Sequence, residues 1–353
     1  MRLITIIILI IYASSCSVNN FNYEDWSVLQ LEIIATGKLS HSWQETSNPI
    51  SQETDWSNAV YLIGLYRLAE ISNDKELQNY LRNWLTITDF KIQGNSLNPD
   101  NIAISYLYLQ NYFDNNWIKR SNEIEIILTN HISDTSFSWW FADALFMAPP
   151  ALSALSTINN SKYDKDINNK WVNTKDLLFS EKDSLYFRDK KFNNHQTRSG
   201  EDQFWLRGNG WVIAGLALTI EHVSKNAEEY IFYTDHFTIL AEKLKTLQLN
   251  NGLWSLDLAD ETRFKQEDSS GSALICFGIT WGINNKILER SNFSHTIDNC
   301  YDGITQSINE DGSFINVQPI GPKPFNYDPG NTEIFGSGTL FLFLSEYLLY
   351  LES

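Results

Sequence analysis

Apolar residues recur with a period close to 3.6 along most of the chain, and this period is typical of helices. Short strands are predicted only near Leu185–Arg188 and Gly252–Leu258, within loops between helices. The pattern therefore predicts a largely helical protein of about twelve helices. These cover residues 25–36, 57–71, 75–89, 101–113, 120–131, 142–157, 164–179, 209–224, 227–247, 271–286, 293–308 and 335–350.

The predicted helices are of two kinds. One kind is apolar nearly all round and carries small residues, which indicates burial on every side; it comprises 142–157, 209–224, 271–286 and 335–350. The other kind has one apolar stripe and one charged face; it comprises 75–89, 120–131, 227–247 and 293–308. Because the two kinds alternate in the second half of the chain, we predict a single-domain, all-α (α/α)6 barrel over residues 24–353. An open helical solenoid is the alternative, and the aromatic residues at the starts of the buried helices disfavour it.

The N-terminus is typical of a targeting segment. Arg2 precedes the apolar run Leu3–Ile11, which is too short to span a bilayer, and small residues lead to Cys16. We interpret residues 1–15 as a lipoprotein signal peptide, Cys16 as the lipidated residue and residues 16–23 as a polar tether. This predicts a periplasmic protein anchored to the outer membrane; an ordinary secretory signal is the alternative.

Composition narrows the possible partners. A formal net charge of −17 argues against nucleic acid, since phosphate binding needs clustered Lys and Arg. The 12 Trp and 16 Tyr residues suit core packing or stacking on sugar rings. His and Cys residues lack metal-ligand spacing, so we expect no zinc site. The sequence also lacks a phosphate loop and a dinucleotide fingerprint. Cys276 lies in an apolar run and is predicted to be a buried free thiol, because two Cys residues make no disulfide framework.

Asp143 is the acid that most suggests chemistry. It lies in the apolar, aromatic stretch Ser138–Pro150, and helical spacing brings Trp139, Trp140, Phe146 and Met147 close to it. Loss of water disfavours the charged form, so the pKa of Asp143 is expected to rise. A carboxyl group that keeps its proton near neutral pH can act as a general acid. The alternative is a buried Asp that caps a helix or pairs with an Arg.

Polar residues also stand at other starts of buried helices. Arg207, between Trp205 and Trp211, could bind a carboxylate or bridge helix ends. Asp100 opens the helix after Pro99 and is either an N-cap or a second carboxylate that faces Asp143 and raises its pKa. Two further residues are candidates for substrate binding. Trp56 immediately precedes the predicted helix at 57–71, and Thr332 shortly precedes the predicted helix at 335–350.

Several motifs together resemble one known family. Trp139-Trp-Phe-Ala-Asp-Ala-Leu-Phe-Met-Ala-Pro-Pro150 resembles the WWWCDALFMAP segment of glycoside hydrolase family 105, the unsaturated rhamnogalacturonyl hydrolases, which are related to the unsaturated glucuronyl hydrolases of family 88. Residues 204–216 resemble its FWxRGNGWVxAGL block. Residues 252–254, 270–273 and 281–285 resemble its DGLW, SGSA and WGINN blocks, and 317–324 and 331–338 its C-terminal blocks. The resemblance covers about residues 50–350, in order.

The resemblance implies an (α/α)6 barrel without metal or organic cofactor. It also implies exo-acting removal of a 4,5-unsaturated uronic acid from the non-reducing end of oligosaccharides that lyases produce. By motif position Asp143 is the acid, and Arg207 and Trp211 carry over. The block around Asp100 matches poorly, Phe141 replaces a Trp, and Asp268 replaces a Glu. His195 is the only nearby candidate for a His that some members place upstream of the RGNGW block.

Two other functions stay open from the sequence. One is a polysaccharide lyase of the same toroid type, which creates the unsaturated bond instead of consuming it. The other is an inactive sugar-binding lipoprotein, suggested by the changes around Asp100. The parent polysaccharide (rhamnogalacturonan, an ulvan-like sulfated glucuronan or arabinogalactan) and the oligomeric state are also open.

Overall fold

The computed structural model describes residues 54–110, 115–136, 138–193, 200, 202–264, 266–310 and 312–352. Nearly all regular structure in these ranges is helical, with one two-stranded antiparallel sheet. The elements are α1 (Trp56–Ile71), α2 (Lys75–Thr88), α3 (Pro99–Ile102), α4 (Ser105–Gln110), α5 (Asn115–Ser133), α6 (Ala144–Met147), α7 (Pro149–Ile158), α8 (Asp164–Leu178), β1 (Phe179–Ser180), β2 (Leu185–Tyr186), α9 (Leu206–Ile220), α10 (Glu228–Lys245), α11 (Ser269–Asn284), α12 (Arg290–Thr305) and α13 (Ile334–Glu352).

The inner helices form a closed ring. Helix α1 packs on α13, α13 on α11, α11 on α9, α9 on α6 and α7, α7 on α4, and α4 on α1. Helices α2, α5, α8, α10 and α12 lie outside this ring, each against an inner neighbour. Closure of the ring confirms the (α/α)6 barrel and excludes the open solenoid. The helix predicted at 25–36, Cys16 and the segments before residue 24 lie outside the described residues.

Close packing of the inner helices depends on small residues. A Cβ on Gly64 would lie 2.1 Å from the carbonyl oxygen of Gly338, and one on Gly338 would lie 2.5 Å from the carbonyl oxygen of Val60. Gly215 in α9 is held equally close to the backbone of Leu145. The backbones therefore approach to a distance that only glycine permits, which is why these helices are buried on all sides.

Two predicted helices are each broken into two in the structure. The segment 142–157 is α6 and α7, separated at Ala148. Pro149 explains the break, because it has no N–H and its ring clashes with a preceding helical turn. The segment 101–113 is α3 and α4, and α3 begins at Pro99 with the side chain of Asn98 accepting from the Asp100 N–H.

The prediction that Cys276 is a free thiol was wrong. Cys276 in α11 and Cys300 in α12 form a disulfide with their Cα atoms 5.9 Å apart. Both residues are fully buried, and the bond joins an inner helix to its outer neighbour. Two cysteines are too few to predict a disulfide framework from sequence, but the packing of adjacent helices brings this pair together.

The predicted strands agree only in part with the structure. Leu185–Tyr186 forms β2 and pairs antiparallel with β1, whereas Gly252–Leu258 contributes isolated bridges at Ser255 and Asp257. Helix α13 is apolar and long enough to cross a membrane, but 72% of its most apolar window is buried within the protein. Its apolar character is thus that of an inner helix of the ring.

The ring is filled at the end where the inner helices finish. Arg67 of α1 lies 2.9 Å from Glu221, which caps α9, and 2.5 Å from Glu346 of α13. Glu221 also accepts from the Trp281 indole N–H, and Glu346 accepts from the Asn284 amide. This far-end cluster (Arg67, Glu221, Glu346, Trp281 and Asn284) links four inner helices by paired polar groups, so its buried charges are compensated.

Candidate active site

The residues with candidate chemistry lie where the inner helices begin. Asp100 is in the first turn of α3, and Asp143 immediately precedes α6. Helices α3 and α6 pack on each other, and α3 also contacts α1, whose first residue is Trp56. The structure therefore brings Asp100, Asp143 and Trp56 together at one rim of the ring, opposite the far-end cluster.

Asp143 is held away from bulk solvent. Its side chain is 14% exposed, and its Oδ2 lies 3.6 Å from the Arg188 Nη2. Its Oδ1 is buried and has no hydrogen-bond partner in the described part of the chain. Burial raises the pKa of Asp143, while the charges of Arg188 and Arg207 lower it without cancelling the rise. The direction of this pKa shift agrees with the sequence-based expectation, and a carboxyl group of raised pKa can act as a proton donor.

Asp100 is also perturbed. Burial raises its pKa from 3.8 to about 6, with the Asp143 charge adding to the rise and the Arg188 charge opposing it. The first-turn position agrees with the N-terminal location predicted for it, but Asn98, not Asp100, supplies the capping side chain of α3. Two carboxyl groups of raised pKa in one neighbourhood favour the protonated form of at least one of them near neutral pH.

Arg188 is the site residue that sequence reasoning missed. It follows β2, and its carbonyl oxygen accepts from the Ala142 N–H at 2.8 Å. Its guanidinium lies over the rings of Phe141 and Trp140, with centroid distances of 5.0 and 5.5 Å. The only sequence signal was an Arg at the end of a predicted short strand, which did not locate it beside Asp143.

Arg207 has a different position from the one expected of a substrate ligand. It is 1% exposed, pairs with Asp268 at 3.1 Å, and donates to the carbonyl oxygens of Gln318 and Pro319. These contacts correspond to the second sequence-based interpretation, an Arg that bridges helix ends, because they tie α9 to the start of α11 and to the loop before α13. Its charge still lowers the pKa of Asp143.

Aromatic side chains cover the floor of the site. The Trp211 ring lies 4.9 Å from Phe146 and 6.3 Å from Trp56, between centroids, and Trp56 lies 5.1 Å from Phe335. Phe335 was not among the predicted residues, although it follows the third polar junction. Together they form an apolar surface contributed by the starts of α1, α6, α9 and α13.

The other predicted aromatic residues divide into two groups. Trp140 is 45% exposed beside Asp143 and is open to a ligand. Trp139 and Trp205 are buried, and their indole N–H groups donate to His131 and Gln318, so they serve packing.

The last three predicted positions differ in what the structure shows of them. Met147 is buried within α6. Thr332 is exposed in the loop before α13. His195 lies outside the described residues.

The comparisons with known proteins agree with this fold. A relative from Formosa agariphila, named unsaturated 3S-rhamnoglycuronyl hydrolase, is 27% identical over 91% of this chain and 95% of its own. A solved structure of a glycosyl hydrolase family 88 protein from Bacteroides vulgatus covers 92% of this chain and 100% of its own, with a TM-score of 0.83 and 24% identity. A structure described as a polysaccharide lyase has a TM-score of 0.84 at 25% identity and covers 93% of this chain and 99% of its own.

The closed helical ring and the family match together define a glycoside hydrolase of the α/α toroid class. Residues 34–351 match the sequence model of Glycosyl Hydrolase Family 88, and the chain belongs to this family. The sequence motifs had indicated family 105 and its relation to family 88, and both families occur among the structural neighbours.

Proposed function

We propose that the protein removes a 4,5-unsaturated uronic acid from the non-reducing end of oligosaccharides that a polysaccharide lyase has produced. The observation that carries this proposal is Asp143, a buried carboxyl group of raised pKa with an unpartnered Oδ1 beside an arginine. A neutral acid at the mouth of a helical ring can protonate an alkene carbon without a metal. The names of the curated relatives support the same substrate class.

The chemistry is hydration of the C4=C5 enol ether. Asp143 gives its proton to C4, and the positive charge that develops at C5 is shared with the ring oxygen. Water attacks C5 and returns one proton to Asp143, which restores the acid. The C5 hemiketal then opens with cleavage of the bond between C5 and the ring oxygen, and the resulting C1 hemiacetal releases the aglycone as an alcohol.

The neighbouring residues have separate roles in this proposal. Asp100, with its pKa raised to about 6, orients the attacking water and opposes ionisation of Asp143. The partly exposed Trp56 provides the face on which the unsaturated ring stacks, and the buried Trp211 packs edge-on against it. The exposed Trp140 stacks on the sugar that follows.

The variant Asp143→Asn tests the proposal. Wild-type protein is expected to decrease the absorbance of the unsaturated uronate in lyase-digested polysaccharides, and the variant is expected to lose this activity while it keeps its circular dichroism spectrum. Asp183→Asn, which alters the half-buried turn between β1 and β2, serves as the matched control and is expected to retain activity. Retained turnover in Asp143→Asn contradicts the assignment.

The direction of the absorbance change separates the alternative functions. An increase on intact polysaccharide indicates a lyase, the activity given in the description of one structural neighbour. Binding without any change over a long incubation indicates a sugar-binding protein.

We also propose that the protein is an exported, lipid-anchored enzyme of the periplasm. The signal-like sequence before Cys16 supports this location. The Cys276–Cys300 disulfide is a second, independent support, because such bonds persist mainly in oxidising compartments. Metabolic labelling with a radioactive fatty acid tests the anchor: wild type is expected to incorporate label, and Cys16→Ala is expected not to.

A further inference from the structure

Arg188 is the cation best placed to meet an anionic ligand at this site. The charges that lower the pKa of Asp143 are those of Arg188 and Arg207. Arg207 is fully enclosed and engaged with Asp268 and two carbonyl oxygens. Arg188 keeps 15% of its side-chain surface exposed, so it remains in contact with the space in front of Asp143.

The guanidinium of Arg188 is held by Asp189 through one nitrogen, and its other nitrogens lack a hydrogen-bond acceptor within the described ranges. Asp189 accepts from the Arg188 Nη1 at 2.9 Å, and Asp189 is itself fixed by the Lys191 backbone N–H at 2.8 Å. The Arg188 Nε is buried and has no hydrogen-bond partner within the described ranges. Its Nη2 is 3.6 Å from the Asp143 Oδ2, which is longer than a hydrogen bond. The Nη2 group therefore keeps donor capacity for a ligand oxygen, whereas the enclosed Nε does not face the ligand.

The negative charge around Arg188 is a second reason to expect that this cation meets an anionic ligand. Asp100, Asp143 and Asp189 are three acids around Arg188, in a protein of net charge −17. A uronate substrate adds another negative charge, which such a neighbourhood repels unless a cation faces it directly. A planar guanidinium can donate two parallel hydrogen bonds to a carboxylate, and this fixes the ligand as well as neutralising it.

We propose that Arg188 binds the carboxylate of the unsaturated uronate through its Nη2 group, which lies beside Asp143, and thereby selects for an acidic terminal sugar. This inference rests on the proposed function and extends it to the residue that determines specificity. In this position Arg188 holds C5, the carbon that bears the carboxylate, next to Asp143. The backbone pairing of 141–142 with 188–189 keeps the two side chains in fixed relation.

The test compares two substrates that differ only in this charge, an unsaturated uronyl disaccharide and its methyl ester. Arg188→Met is expected to lower kcat/KM for the acid by about 10- to 100-fold, the range for loss of a charge-assisted hydrogen bond. At a pH where Asp143 is protonated with or without Arg188, the same variant is expected to change the ester by less than about threefold, because no carboxylate contact is lost. Since each variant is compared with wild type on the same substrate, the different intrinsic reactivity of acid and ester cancels.

Two further variants complete the design. Arg188→Lys keeps the charge without the planar fork and is expected to recover part of the preference for the acid. Arg120→Met removes an exposed, ion-paired arginine from the outer helix α5 and is expected to leave both substrates unchanged.

The outcomes separate the two proposals. An equal loss on acid and ester by Arg188→Met means that the arginine acts only through Asp143, which overturns the inference and leaves the proposed function standing. A wild-type protein that consumes neither substrate nor any other lyase product overturns both.

Discussion

Removal of Arg67 is expected to destabilise the barrel strongly at neutral pH. Arg67→Met leaves Glu221 and Glu346 without their shared cation, and Glu346 is only 2% exposed. Breaking a buried ion pair by removing one partner costs about 3–5 kcal/mol. We expect the lower end, about 3 kcal/mol, because Arg67 and Glu221 retain some exposure to water, which screens the remaining charge.

This free energy corresponds to a measurable change in Tm. The entropy of unfolding is about 2.1 cal/mol/K per residue, or roughly 0.7 kcal/mol/K for 353 residues. A loss of about 3 kcal/mol therefore lowers Tm by about 4 °C. Circular dichroism at 222 nm, recorded at one fixed scan rate, measures this shift. Arg120→Met removes an exposed pair and is expected to lower Tm by less than about 1 °C.

The shift should depend on pH in a defined direction. Burial acts to raise the pKa of Glu221, but the charge and hydrogen bond of Arg67 leave it below its ordinary value of 4.5. A lowered pKa in the folded state gives stability that is present above 4.5 and is lost as pH falls through the folded value. Without Arg67, burial favours the protonated Glu221, so the difference between wild type and variant should narrow from pH 7 to pH 4.

Two results would refute this reasoning. One is a Tm for Arg67→Met within about 1 °C of wild type at pH 7. The other is a deficit of the same size at pH 4 as at pH 7, which would mean that packing and not charge is lost. The double variant Arg67→Met/Glu346→Gln should be less destabilised than the sum of its single changes, because the two groups interact directly.

Three further predictions concern the acid pair, the ring and the disulfide. As pH rises, kcat/KM should fall when Asp143 ionises, at a pH above the ordinary pKa of an Asp carboxyl group. Asp100→Asn should move this fall to lower pH in a pH–rate profile, because the effect of one carboxylate on the other is reciprocal. Gly338→Ala should lower the free energy of unfolding, measured by urea titration, by about 1–3 kcal/mol, because the added Cβ clashes with the backbone of α1. The control Gly208→Ala should be neutral or stabilising, because its Cβ would meet no atom closer than 3.4 Å. Reduction of the Cys276–Cys300 disulfide should lower the free energy of unfolding by about 3 kcal/mol. A thiol titration of the unfolded protein should count two more thiols after reduction than before it, and an unchanged count would contradict the pairing of Cys276.

The helical architecture could be predicted because it depends on local patterns. A segment such as 209–224 is apolar on every face, and its structural counterpart Leu206–Ile220 is buried along its whole length. The direction of the Asp143 pKa shift was also accessible, because an acid in an apolar, aromatic stretch is expected to be buried. The helical spacing predicted for Trp139 and Trp140 was wrong, since the helix begins only at Ala144. The breaks at Ala148 and after Ile102 were not predicted, since the pattern of apolar residues continues across them.

The partners of the site could not be predicted, because they join distant parts of the chain. Arg188 meets Asp143 only because residues 188–189 pair with 141–142, and no local pattern encodes that pairing. For Arg207 the residue type allowed two roles, and only the positions of Asp268 and of the loop at 318–319 distinguish them. The disulfide likewise depends on which faces of α11 and α12 meet.

The far-end cluster has a consequence for the order of events in each reaction cycle. Because the paired side chains of the far-end cluster close one end of the ring, a sugar chain cannot pass through it. Substrate and product must both use the rim at which Asp143 lies. The released monosaccharide must leave by the route on which the next chain end arrives. A released monosaccharide that has not yet left therefore blocks the next chain end and acts as a competitor for the site.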